Sequence, residues 1–196
     1  MKALKAALLL LGLWTAPGVA ENWEAAEPQE RCALCHGYFG NDPRGKFPKL
    51  AGQKPSYIAA QIQAFLDGHR RNDGGQMVKT VTEITADDIP VVVDWFSSQD
   101  PPTPTPVDTE DLGQTGQQAW TISRCGECHG ITDAGVKDAP HLTAQHPAYL
   151  AKQMQDFRTG QRSMKDPDKI DAIKGLTDAE VTAIAAYLGA LPRLAP

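Results

Sequence analysis

Two copies of Cys-x-x-Cys-His stand 93 residues apart, as Cys32-Ala33-Leu34-Cys35-His36 and Cys125-Gly126-Glu127-Cys128-His129. Each copy supplies two thiols able to form thioether bonds to haem vinyl groups and an imidazole able to bind the iron. Zinc is the competing chemistry. A Cys-x-x-Cys pair is half of a tetrahedral site, and two pairs could close a site of four sulfurs. Disulfides are another, because the chain reads as exported and has no cysteine beyond these four. Zinc, however, does not require the following His twice, and the pairs are far apart for a zinc module. Two covalently bound haem c groups are therefore the expectation, with His36 and His129 on the metal.

A low-spin haem that carries electrons needs a second axial ligand, and a thioether raises its potential by favouring reduced iron. In the first half Met77 is the only methionine after the start of the chain, 41 residues past His36 in a Gly-Gly-Gln-Met loop. An apolar gap-filler is its alternative role. In the second half Met154 falls in a helix, over Ile62, and reads as core. Met164 lies in a loop and is the expected ligand. Lys169 stands in the slot of Met77 and keeps a nitrogen ligand or an open site as alternatives. His69, His141 and His146 sit in polar surroundings and read as solvated surface. The carbonyls of Pro48 and Pro140 follow the two motifs closely enough to accept the axial His N–H and fix its tautomer.

The elements that hold these groups form an internal duplication. Beyond the motifs the offset becomes 92. Phe47-Pro48-Lys49-Leu50-Ala51-Gly52-Gln53 lies over Ala139-Pro140-His141-Leu142-Thr143-Ala144-Gln145. Tyr57, Gln61, Phe65 and Gly68 lie over Tyr149, Gln153, Phe157 and Gly160, and Trp95 over Tyr187. Two tandem domains follow, 21–100 and 108–196. The proline-dense segment 101–107 joins them as a stiff, extended spacer. The coarse structure is all-α. Helical periodicity predicts helices over 56–66 and 148–157, with Gly68 and Gly160 just past their ends. Thr85 and Thr177 are predicted N-caps of two further helices.

The chain opens with Lys2 and Lys5, then an apolar run from Ala6 to Trp14, then small residues to Ala20. That pattern predicts a secretory signal over 1–20, too short for a spanning helix, with a retained anchor as the alternative. Without Lys2 and Lys5 the chain carries 17 basic and 24 acidic side chains, a formal charge of −7. Such a balance argues against nucleic acid or an anionic membrane as a partner.

Cys32-x-x-Cys35-His36-Gly37, Phe47-Pro48-x-Leu50-Ala51-Gly52-Gln53, Tyr57, Gln61, Phe65, Gly68, Arg70, Asn72 and Met77 resemble the dihaem cytochrome c4 family. The second half keeps Cys125, Cys128, His129-Gly130, Pro140, Tyr149, Gln153, Phe157 and Gly160. The resemblance implies tandem class I cytochrome c domains packed with their haems across an interface, and a monomeric periplasmic carrier of single electrons. It implies donors such as a quinol-oxidising complex or a dehydrogenase, and a terminal oxidase or reductase as acceptor. Peripheral contact with the membrane fits that role. Two rivals remain. One is the dihaem subunit of a dehydrogenase complex, of the flavocytochrome sulfide dehydrogenase type. The other is a small dihaem enzyme with an open second iron.

Overall fold

The computed structural model describes residues 26–107, 110–131, 135–136, 138–163 and 167–193. The signal expected over 1–20 and Met164 lie outside the described residues, and of Lys169 only the backbone is described. Among the described residues the protein has helices and no strand; its one isolated bridge pairs Arg70 with Arg162, antiparallel. None of these helices is long and apolar enough to cross a membrane.

The first half holds α1 (Pro28–His36), α2 (Pro55–Leu66), α3 (Gln76–Val81) and α4 (Asp88–Ser97). The second holds α5 (Glu110–Ile122), α6 (Gly126–His129), α7 (Pro147–Arg158), α8 (Pro167–Lys174) and α9 (Asp178–Ala190). α1, α2 and α7 each open on proline, whose missing N–H has no intrahelical partner at that position anyway. α2 and α7 thus begin one residue earlier than periodicity predicts. Thr177 caps α9 as expected, accepting from the Glu180 N–H while the Glu180 carboxylate reaches back. Thr85 does not cap α4. That helix begins at Asp88, whose carboxylate accepts from the Thr85 N–H and hydroxyl, both at 2.8 Å.

Each half buries its own core. Ile58, Ile62 and Phe65 of α2 meet Val92, Val93 and Phe96 of α4. Leu150 of α7 meets Trp120 of α5 and Val181, Ile184 and Leu188 of α9. α5 and α9 approach closely because Gly116 lacks a side chain; a Cβ there would lie 2.1 Å from the Ala183 carbonyl oxygen. The proline segment 101–107 forms neither helix nor strand. It is also docked: Pro102 is buried, the Thr105 N–H donates to the Gly189 carbonyl, and Lys49 donates to the Thr103 carbonyl.

The halves meet in a seam built from equivalent residues used twice. The Gln53 amide donates to the His141 carbonyl and accepts from the His141 N–H, both at 2.9 Å. The Gln145 amide does the same to Lys49, at 2.9 and 2.8 Å. Arg70 donates to Tyr149 and Gln153, while Arg162 donates to Tyr57 and Gln61. This is a pseudo-two-fold arrangement, in which one chain imitates an isologous dimer.

Candidate functional site

Both motifs end at an imidazole held by the same backbone contact. His36 Nδ1 lies 2.9 Å from the Pro48 carbonyl oxygen, and His129 Nδ1 lies 2.9 Å from that of Pro140. A carbonyl only accepts, so each Nδ1 carries the proton and each Nε2 presents a lone pair. The carbonyls expected to orient these rings do so.

His36 Nε2 is buried, and among the described residues nothing hydrogen-bonds it. Leaving a buried polar atom unmet costs about 1–3 kcal/mol. The cost is removed if the lone pair binds a metal. Burial holds the imidazole below its usual pKa, against the opposing pull of the Pro48 hydrogen bond, so it stays neutral and ready to ligate. Phe47 packs edge-on against the His36 ring, and Trp120 lies beside the His129 ring.

Each of the four cysteines is part-buried. Burial, then repulsion from Cys35, pushes the Cys32 thiol up to about 11, and burial also raises Cys125. The two pairs do not converge: among the described residues no group of three or more His, Cys, Asp or Glu could hold a metal ion. The described residues thus bring together no all-thiolate zinc site, and no disulfide joins the cysteines. Paired cysteines one turn apart, beside a buried imidazole with an unmet nitrogen, fit covalent haem.

The other expected residues divide. Met77 is not in a loop; it is the second residue of α3, part-buried against the first core, with its N–H bonded by the Asp73 carboxylate. Met154 packs against the second core as expected. His69 is exposed, as expected. The reading of His146 and His141 as solvated surface is overturned. His146 is 6% exposed and its Nε2 lies 2.7 Å from the Asp42 carbonyl, across the seam. His141 is half-buried there against Gln53. Periodicity within one half carries no information about a surface the other half covers.

The same blindness applies to Tyr57 and Tyr149. Their hydroxyls accept from Arg162 at 2.9 Å and Arg70 at 3.0 Å. Burial alone would raise the Tyr57 phenol, but the guanidiniums of Arg162 and Arg70 bring it below its ordinary value. Both arginines are buried, and each lies over its own half's phenylalanine, Arg70 over Phe65 at 4.7 Å and Arg162 over Phe157 at 4.6 Å. Their side-chain hydrogen bonds run to neutral amide and phenol oxygens. Arg162 was the site residue that sequence reasoning missed, although Arg70, 92 positions earlier, pointed to it.

Two haem-binding motifs, each on a helical half with its own core, define a dihaem c-type cytochrome. A family model described as Cytochrome c matches residues 113–192. Cytochrome c4 of Pseudomonas aeruginosa is 33% identical over 202 residues, covering 97% of this chain and 98% of that one. The thiosulfate dehydrogenase electron acceptor of Thiomonas intermedia is 30% identical, covering 97% and 91%. The crystal structure of reduced recombinant cytochrome c4 from Pseudomonas stutzeri superposes with a TM-score of 0.73 at 28% identity, covering 84% of this chain and 96% of that one. The chain belongs to the cytochrome c4 family. It carries two covalently bound haem c groups and transfers electrons.

Proposed function

We propose that the protein is a periplasmic, monomeric shuttle of single electrons, with one haem domain in each half (21–100 and 108–196) joined by 101–107. Cys32 and Cys35 anchor the first haem, with His36 and Met77 as its axial ligands. Cys125 and Cys128 anchor the second, with His129 and Met164. Bound haem supplies one-electron exchange between ferric and ferrous iron. The chain's residues do the rest. The imidazoles donate from Nε2 while Pro48 and Pro140 fix their tautomers. The buried guanidiniums of Arg70 and Arg162 bring positive charge suited to the carboxylates that each haem carries.

The observation that carries this reading is the buried, unmet Nε2 of His36 one residue after Cys35. We assign no catalytic residue. Donors of the quinol-oxidising or dehydrogenase type and a terminal oxidase or reductase are the proposed partners. Mass spectrometry of the protein secreted from a cell with intact maturation machinery tests the attachment residues. The chain should weigh its polypeptide plus two haems, and Cys32→Ala with Cys35→Ala should remove one. A mass of bare polypeptide refutes the assignment.

One observation favours a second reading, a stable subunit of a dehydrogenase complex. Leu34 and Phe39 are 67% and 61% exposed, and Phe39 clusters with Tyr38 and Trp95 beside the first motif. Exposed apolar patches of this kind mark interaction surfaces, and one relative is named for accepting electrons from thiosulfate dehydrogenase. Gel filtration of the native extract separates the two readings: a free carrier elutes at monomer size, and a subunit with its enzyme.

A further inference from the structure

Each axial histidine leans on a peptide group that belongs to its own half but is gripped by the other. The 48–49 peptide accepts from His36 Nδ1 through the Pro48 oxygen at 2.9 Å and donates through the Lys49 N–H to Gln145 Oε1 at 2.8 Å. The 140–141 peptide accepts from His129 Nδ1 at 2.9 Å and donates through the His141 N–H to Gln53 Oε1 at 2.9 Å. Gln53 and Gln145 are both 4% exposed. Each amide is also locked from its other end, through Nε2 to the carbonyl of the same Lys49 or His141. Each Oε1 takes one more backbone donor, from Lys54 or His146, at 3.0 Å.

Hydrogen bonds in series polarise one another. A peptide whose N–H is engaged carries more negative charge on its oxygen and accepts more strongly. That draws the Nδ1 proton away from the ring and makes Nε2 a better donor to ferric iron, as partners behind a ligating histidine do. We infer that Gln145 and Gln53 are crossed tuning residues: Gln145, in the second half, sets the potential of the first haem, and Gln53, in the first half, sets that of the second. Both are positioning residues that act through the peptide and the imidazole. The inference rests on His36 and His129 being the iron ligands.

The crossing is what a purely structural role would not reproduce. A glutamine that merely glued the seam would, on removal, disturb both haems or its own half. The test is a redox titration of the dihaem protein, with each haem followed separately by the NMR signals of the His36 or His129 ring. In Gln145→Leu the first haem's potential should rise, by about threefold in its reduction equilibrium, or roughly 30 mV at 59 mV per tenfold for one electron. The second haem should hold. Gln53→Leu should give the reverse pattern. Equal shifts at both haems, a shift confined to the variant's own half, or no shift overturns the inference. If neither variant folds, the reduced unmutated protein still decides. A through-hydrogen-bond coupling between the Lys49 nitrogen and the Gln145 side-chain carbonyl carbon is expected, and its absence overturns the relay. A wrong ligand assignment would show differently: the ring signals of the unmutated oxidised protein would lack iron-induced shifts.

Discussion

Arg162 donates to the hydroxyl of Tyr57 at 2.9 Å, from one half of the chain to the other, and Arg70 returns the contact to Tyr149 at 3.0 Å. The two bonds sit on either side of a pseudo-two-fold axis, so the seam is specified twice. A hydrogen bond to a charged group is worth about 1.5–3 kcal/mol. Tyr57→Phe should cost that much in a urea titration of the holoprotein without changing its haem content. An unchanged midpoint would mean that water replaces the phenol at no cost and that the seam is wet.

Met77 lies part-buried on α3 against the first core. If its sulfur binds iron, Met77→Ala should abolish the weak long-wavelength Met–Fe(III) absorption of one haem. It should also lower that haem's potential by more than about 59 mV, a tenfold change in the one-electron equilibrium. Met164→Ala should do the same to the other haem alone. An unaltered titration in Met164→Ala would transfer the role to Lys169.

Burial, then the positive charges of Arg193 and Lys54, pushes His141 down to about 4 from an ordinary 6.5. His146 is lowered too, by burial first. The unfolded chain therefore takes up these protons before the folded one does. Stability is complete above the unfolded value near 6.5, falls as the pH drops through it, and stops falling from His141 below about 4. Urea midpoints measured across that range should show the decline, and His141→Asn should make it shallower. A slope unchanged in that variant would show that His141 keeps its ordinary pKa in the fold.

Gly52 and Ala144 occupy one backbone position in the two halves, at φ +60 and +56. Each N–H donates to the last helix of its half, at Phe96 and Leu188. Gly52→Ala would add left-handed strain and place a Cβ 3.1 Å from the Gln99 carbonyl oxygen. It should lower stability by about 1–2 kcal/mol. Ala144→Gly should be near neutral, because relief of strain is offset by the lost burial of a fully enclosed methyl. Differential scanning calorimetry of the two variants should show this asymmetry.

Much of this protein was legible in its residue order. Cys-x-x-Cys-His followed by proline at a short interval names a haem and points to the carbonyl behind the histidine, because motif and proline share one stretch, Cys32 to Pro48 and Cys125 to Pro140. The spacing of Ile58, Ile62 and Phe65 places α2 and its buried face, since 3.6-residue periodicity is a local property. The 92-residue register of Tyr57, Gln61 and Phe65 revealed that the pattern is used twice.

Tertiary structure alone decided what the repeated residues do for each other. Tyr57 and His146 look like a core residue and a surface residue when one half is considered by itself. Packing the halves makes the first a partner of Arg162 and buries the second against Asp42. Gln53 and Gln145 likewise read as a matched pair in sequence, but only the fold shows that each holds the peptide behind the other half's histidine. Contacts between residues some ninety positions apart depend on how two finished surfaces dock. Local periodicity and motif spacing carry no record of that docking.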